Sequence, residues 1–244
     1  MVNYLIYIVL GIIQGITEWL PVSSSGHLVI AEHFFGIKEN LTFNILLHFA
    51  SLLIIFFVFR KRIWEVIKTP KYWPFVIIGS IPAGLVGFYI YPYFQSISNS
   101  LILVAISLLI TGSLLYFSDR KFKKKKMSYK KSFLVGMFQA LAILPGISRS
   151  GSTIVGARFL GISKTEAIEF SFLLAIPAIL GASLVEMSNF GVINMAMIIG
   201  CIVNIVVGYF CIKLLIEFVQ KGKLRYFSYY CFALGLGLLI YLLY

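Results

Sequence analysis

Apolar residues along this chain fall in long blocks separated by short polar stretches. Six windows, at about 42–59, 72–91, 100–117, 166–185, 192–212 and 226–244, are nearly continuous runs of Leu, Ile, Val, Phe, Ala and Gly. A helix needs about 20 residues to cross roughly 30 Å of hydrocarbon, so each window is predicted to be a transmembrane helix. One such window could equally be a buried helix of a soluble core. A chain of 244 residues, however, has too little polar surface to cover six of them. The expected class is an all-α polytopic membrane protein. A composition of 60% hydrophobic and 12% charged residues excludes an ordinary soluble domain and agrees with this.

The polar stretches orient the windows. Of the 21 Lys and Arg, 17 lie in segments 60–71, 120–131 and 213–225, while loops 92–99 and 187–191 have no charge. Basic and neutral connections therefore alternate, as the positive-inside bias requires when successive spans cross in opposite directions. The basic segments are predicted to be cytoplasmic and both termini outside, in the cell inner (plasma) membrane. Attraction to anionic headgroups accounts for the net charge of +12, and no nucleic-acid partner is expected. Residues 1–10 lack the basic start of a cleaved signal peptide and are expected to be retained. Cys201, Cys211 and Cys231 sit in or beside apolar windows without metal-ligand spacing and read as small apolar residues.

Two stretches resist assignment as simple spans and resemble each other: GIIQGITEWLPVSSSGHLV at 11–29 and GMFQALAILPGISRSGSTI at 136–154. Each has Gly-x-x-Gln, an apolar approach to Leu-Pro, and a Ser-Gly whose glycine lies 12 residues after the Gln. Each also precedes three windows, dividing the chain into a first repeat at 1–118, a basic linker at 119–131 and a second repeat at 132–244. An odd number of spans per repeat inverts the two repeats relative to one another. Both Pro-Ser-Gly stretches then become re-entrant helix-turn-helix pairs entering from opposite faces. Pro21 and Pro145 break the helical ladder, and Gly26 and Gly151 allow an unusual dihedral or a close approach. Ser23, Ser24 and Ser25 in one copy, and Ser148, Ser150, Ser152 and Thr153 in the other, are suited to cap a new helix whose first amides attract anions.

Ionisable residues cost about 2.5–3.5 kcal/mol each at the centre of a membrane helix, so Glu18, His27 and Arg149 at these turns require a reason. Sharing one wet pocket would let them offset one another. Arg149 matches phosphate oxygens with its planar fork, or else pairs with Glu18 for structure or snorkels to the interface. His27 can be nucleophile, base, acid or an interfacial residue without chemistry. Glu18 can be a base or hold a divalent cation, and Gln14, one turn earlier, can orient it or the substrate. His48, inside a span, lines the pocket or makes an interhelical bond. Glu166 and Glu169 lie where helix-start acids are favoured, Glu186 is interfacial, and Glu32, His33, Lys38 and Glu39 belong to a solvated connection.

EWLPVSSSGH (18–27) with Gln14 before it, PGISRSGST (145–153) and EFSFLLAIP (169–177) together resemble the undecaprenyl-pyrophosphate phosphatases, also called bacitracin-resistance proteins. The likeness spans nearly the whole chain. It implies a membrane phosphatase that hydrolyses a polyprenyl diphosphate to the monophosphate and inorganic phosphate, recycling the lipid carrier of peptidoglycan and other envelope polymers. It implies inverted re-entrant repeats and a divalent cation, Mg or Ca, near Glu18. Glu18, Ser24, His27 and Arg149 are the expected catalytic residues. Gln14, Ser23, Ser25, Gly26, Ser148, Ser150, Gly151 and Thr153 are expected around the phosphates. Gln14 stands where many members have a glutamate, which removes one possible metal ligand. The nucleophile stays open between Ser24, His27 and a water activated by Glu18 or His27. An inverted-repeat transporter or flippase for polyprenyl phosphate or another anion is the alternative.

Overall fold

The computed structural model describes residues 4–37, 40–93, 97, 100–118, 123–187 and 190–244, and among these it is helical without a strand. We number the principal helices α1 (Tyr4–Thr17), α2 (Ser24–Phe35), α3 (Leu41–Val58), α4 (Arg60–Lys68), α5 (Trp73–Ile90), α6 (Leu101–Tyr116), α7 (Tyr129–Leu141), α8 (Arg149–Phe159), α9 (Lys164–Glu186), α10 (Met195–Lys221) and α11 (Arg225–Leu243). Short 3₁₀ turns, Pro70–Tyr72 and Tyr91–Tyr93, flank α5. Lys38, Glu39 and parts of the basic linker and of the neutral loops fall outside the described residues.

Each predicted window is a helix, with informative differences in length. Five are long and apolar enough to cross a membrane: α3, α5 with its flanking turns, α9, α10 and α11. The sixth window forms α6, whose 16 residues rise only about 24 Å. One face of it is fully buried at Val104, Ala105, Leu108 and Leu115, with α11 lying along the helix, while Ile102, Ile106 and Ile110 are exposed. Helix α10 overruns its window to Lys221 and stops at Gly222, whose φ of 69° supplies a left-handed cap that lets its amide reach Phe218 and Val219 carbonyls. Helix α2 likewise continues through Glu32 and His33, which sequence placed in a connection, to a left-handed cap at Gly36.

The first basic segment is also more ordered than a loop. It forms α4, an amphipathic helix in which Arg62 Nη1 donates to Glu65 at 3.1 Å and Arg62 Nε forms an ion pair with Glu169 at 3.0 Å. Glu169, expected to serve the start of its helix, instead ties α9 to α4. The α9 cap is Ser163, whose hydroxyl accepts from the Glu166 amide.

The centre of the bundle is apolar and dense. Trp19, just after α1, has no exposed surface and packs on Phe172 of α9 with ring centroids 5.6 Å apart, amid Ile55, Ile154, Ile212 and Leu215. Leu85, Phe88, Leu184, Phe210 and Leu243 point outward, as they must where the solvent is lipid. The two predicted hairpins are α1–α2 and α7–α8. Their first helices cross long helices at glycines. A Cβ on Gly11 would lie 2.3 Å from the Gly200 carbonyl oxygen of α10, and one on Gly136 would lie 2.2 Å from that of Gly79 in α5. Small residues at both crossings let the backbones touch, the usual basis of helix association where hydrophobic transfer contributes little.

Candidate active site

Helix α1 ends at Thr17 because its next residues lead into Pro21, which has no amide to donate. The chain turns through Ser23, whose φ of 75° is strained for a residue with a Cβ, and restarts as α2. Ser23 Oγ caps that restart by accepting from the Gly26 amide at 3.3 Å. In the second hairpin, Gly146 takes the positive φ (94°), and Ser148 Oγ caps α8 by accepting from the Gly151 amide at 3.1 Å. The two turns meet: a Cβ on Gly26 would fall 2.9 Å from Gly146 Cα, and one on Gly151 would fall 3.2 Å from Pro21 Cβ. Gly26 and Gly151 therefore serve close approach, and neither has a positive φ.

This meeting brings together residues 131 positions apart. Arg149 Nη2 donates to Glu18 Oε1 at 2.5 Å. On the other carboxylate oxygen, Oε2, Ser24 Oγ donates at 2.6 Å and Gln14 Nε2 at 3.2 Å. His48 of α3 brings Nδ1 to 4.0 Å of the same oxygen. Glu18 is thus a buried carboxylate surrounded by a cation, a hydroxyl, an amide and an imidazole. Two helix starts, at Ser24 and Arg149, adjoin it with their positive dipole ends. Around it, Gln14 Oε1, Arg149 Nη1 and His48 Nδ1 are buried without a hydrogen-bond partner among the described residues.

Not every predicted site residue joins this cluster. His27 lies on α2 with Nδ1 at 2.7 Å from the Ser23 carbonyl and Nε2 at 2.6 Å from the Tyr230 hydroxyl of α11. Ser23 and Ser148 act as caps, Ser25 Oγ lies 3.3 Å from Ser23 Oγ, and Ser150 Oγ donates to the Trp19 carbonyl at 3.4 Å. Thr153 Oγ1 sits 2.8 Å from the Arg149 carbonyl and 2.6 Å from Ser171 Oγ, joining α8 to α9. Ser150 and Thr153 thus support the wall beneath Arg149.

Several contributors were not singled out from sequence. Thr111 of α6 donates to the Gly146 carbonyl at 2.9 Å and accepts from the Ser148 amide at 3.1 Å, clamping the second turn. Asn204 of α10 donates to the Leu47 carbonyl at 2.8 Å, bracing the turn of α3 that presents His48. Each is a polar residue inside an apolar window, a signal that was available, since such residues face a protein interior. Tyr230 carried no such signal among 14 tyrosines.

For a metal, the described residues contain no group of three or more His, Cys, Asp or Glu side chains. The nearest donor set is Glu18 with the unpartnered Gln14 Oε1 and the Ser24 hydroxyl. These are hard oxygen donors, suited to Mg or Ca in a site where substrate phosphates supply further ligands.

The family model described as "Bacitracin resistance protein BacA" matches residues 7–237. The undecaprenyl-diphosphatase of Carboxydothermus hydrogenoformans is 42% identical over 96% of this chain and 95% of its own. That of Alkaliphilus metalliredigens is 41% identical over 93% and 94%, and that of Methanosphaera stadtmanae 35% identical over 97% of each chain.

Proposed function

The chain belongs to the bacitracin resistance protein family, and we infer from that membership and from the Glu18–Arg149 cluster that it is an undecaprenyl-diphosphatase. It is a multi-pass membrane protein that hydrolyses a polyprenyl diphosphate to the monophosphate and inorganic phosphate. Apolar outer faces suit the isoprenoid tail, and the buried polar cluster suits the headgroup. The observation that carries the site assignment is the 2.5 Å bond from Arg149 to Glu18, which joins two broken helices inside an apolar bundle.

In this reading Arg149 holds the diphosphate, helped by the first amides of α2 and α8. Its partnerless Nη1 is the first contact, and Nη2 exchanges Glu18 for a phosphate oxygen as the substrate seats. Glu18, released from the cation, is the base for the hydroxyl 2.6 Å away on Ser24. Ser24 Oγ attacks the terminal phosphorus, its proton passes to Glu18, and the prenyl monophosphate leaves, taking that proton from Glu18. Water then attacks the phosphoseryl phosphorus and gives a proton to the again ionised Glu18, which returns it to Ser24 Oγ as inorganic phosphate departs. This assignment follows from proximity: both ring nitrogens of His27 are engaged elsewhere. A divalent cation held by Glu18, Gln14 Oε1 and the phosphates would neutralise charge on the transferring group. Ser23, Ser25, Gly26, Ser148, Ser150, Gly151 and Thr153 shape the surrounding backbone.

The reading of two inverted repeats is supported by the pairing of elements. Helix α1 runs alongside α10 in one direction, with Gly11 at Gly200 and Gly15 at Asn204. Helix α7 runs alongside α5, with Tyr129 at Phe75 and Gly136 at Gly79. Each hairpin thus packs on a long helix of the opposite repeat.

Arg149→Ala is expected to reduce phosphate release from a polyprenyl diphosphate in detergent to near background, with the protein still membrane-inserted. Normal turnover by that purified variant would overturn the site. Labelled phosphate trapped on Ser24 supports the covalent route, whereas phosphate release with no serine adduct assigns the attack to water.

A further inference from the structure

Of the polar atoms buried around Glu18 without a partner among the described residues, Gln14 Oε1 is open to a cation and Arg149 Nη1 to a phosphate. His48 Nδ1 has no use so far. It comes from α3, a span outside both hairpins, yet it lies 4.0 Å from Glu18 Oε2 and its ring is within electrostatic reach of Arg149. That distance is too long for a hydrogen bond, and Oε2 already accepts from Ser24 and Gln14. A bare Nδ1 would set its lone pair against the negative charge of the carboxylate, so this nitrogen carries the ring hydrogen. Nδ1–H is then a buried donor with nothing to receive it, a costly arrangement unless a ligand supplies the acceptor.

Two further observations bear on that ligand. Asn204 of α10 donates to the Leu47 carbonyl at 2.8 Å and to Ser51 Oγ at 3.3 Å, so the turn of α3 that presents His48 is fixed on both sides. Ser24 Oγ and His48 Nδ1 also address the same carboxylate oxygen, at 2.6 Å and 4.0 Å, while Arg149 Nη2 holds the other. A phosphorus seated for attack by Ser24 therefore brings its oxygens to the side of Glu18 where the unmet donor waits. We propose that His48 is a further catalytic residue of this site, giving its Nδ1–H to an oxygen of the phosphoryl group that Ser24 attacks. No proton is transferred: the bond stabilises the charge on the transferring group, as a preorganised donor does. The proposal rests on the reading of Ser24 and Arg149 given above.

The test uses the full chain in detergent with Mg, a polyprenyl diphosphate as substrate, and methylenediphosphonate, a headgroup with neither tail nor hydrolysable bridge, as inhibitor. His48→Leu removes the donor and should lower kcat/KM about a hundredfold. It should also raise the Ki of methylenediphosphonate about tenfold, the loss of one charge-assisted hydrogen bond. His48→Asn sets an amide N–H near the place of Nδ1 and should recover most of both. Full kcat/KM in His48→Leu, or His48→Asn no more active than His48→Leu, overturns the proposal. So does a slow His48→Leu with an unchanged Ki, which would give His48 a role through Glu18 or a water alone. A second measurement needs no stable leucine variant. With the three histidines ¹⁵N-labelled, methylenediphosphonate should shift the Nδ1–H signal that is missing from His48→Asn, and an unmoved signal overturns the proposal. Absence of phosphate release from the unsubstituted chain would instead be a failure of the phosphatase reading, seen before any substitution is made.

Discussion

Glu18 is held by four different chemistries at once, and each makes a separable contribution. Gln14 gives its amide hydrogen to Glu18 and leaves its carbonyl oxygen buried without a partner. Converting it to a carboxylate would add a charged oxygen ligand and take away that donor. Gln14→Glu is therefore expected to lower the Mg concentration for half-maximal activity by about tenfold or more, since ligand charge sets affinity for hard cations. A metal titration of phosphate release reads this, and an unchanged midpoint would place the cation away from Gln14. Ser23 combines a strained φ with a cap on α2. Ser23→Ala keeps the strain and loses the cap, so it should destabilise by about 1 kcal/mol, visible as a lowered melting temperature in detergent.

The hairpin helices are short for a membrane, 14 residues in α1 and 13 in α7, and they are held by contact with one long helix each. That contact depends on glycine at the crossing. Gly11→Ala or Gly136→Ala would drive a methyl into a backbone oxygen, which cannot move aside as a flexible side chain would. Either should cost about 1–3 kcal/mol, as overpacking does. Gly11→Ala should also reduce turnover per folded molecule, because α1 carries Gln14 and leads directly to Glu18. Gly84→Ala in α5 meets nothing within 4 Å and is expected to be neutral or stabilising. Comparing thermal unfolding of the three variants checks the crossings, and equal melting temperatures would show that the helices do not meet there.

At the scale of the whole molecule, two helical hairpins far apart in sequence, α1–α2 and α7–α8, supply the two halves of one polar site. The orientation proposed from the loop charges puts 60–71, 119–131 and 213–225 in the cytoplasm and both termini outside. Single cysteines introduced near each terminus and at Lys125, in a chain with Cys201, Cys211 and Cys231 replaced, should label from the outside only at the termini. Labelling of the terminal positions from the cytoplasm alone would reverse the assignment.

Much of this was written in the sequence. Apolar blocks of about 20 residues became helices because hydrocarbon leaves the backbone no other way to satisfy its amides. The prolines and serines of the two motifs located the turns, and Gln14, Glu18, Ser24 and Arg149 were legible because charge and hydroxyls are costly there without a purpose. Tertiary structure alone decided who meets whom. That His48 would approach Glu18 while His27 turned to Tyr230, and that Thr111 would clamp the second turn, depend on packing between helices separated by about 30 to 200 residues of chain. Local pattern sets which residues must avoid lipid. It carries no record of which neighbour, brought by another helix, will receive them.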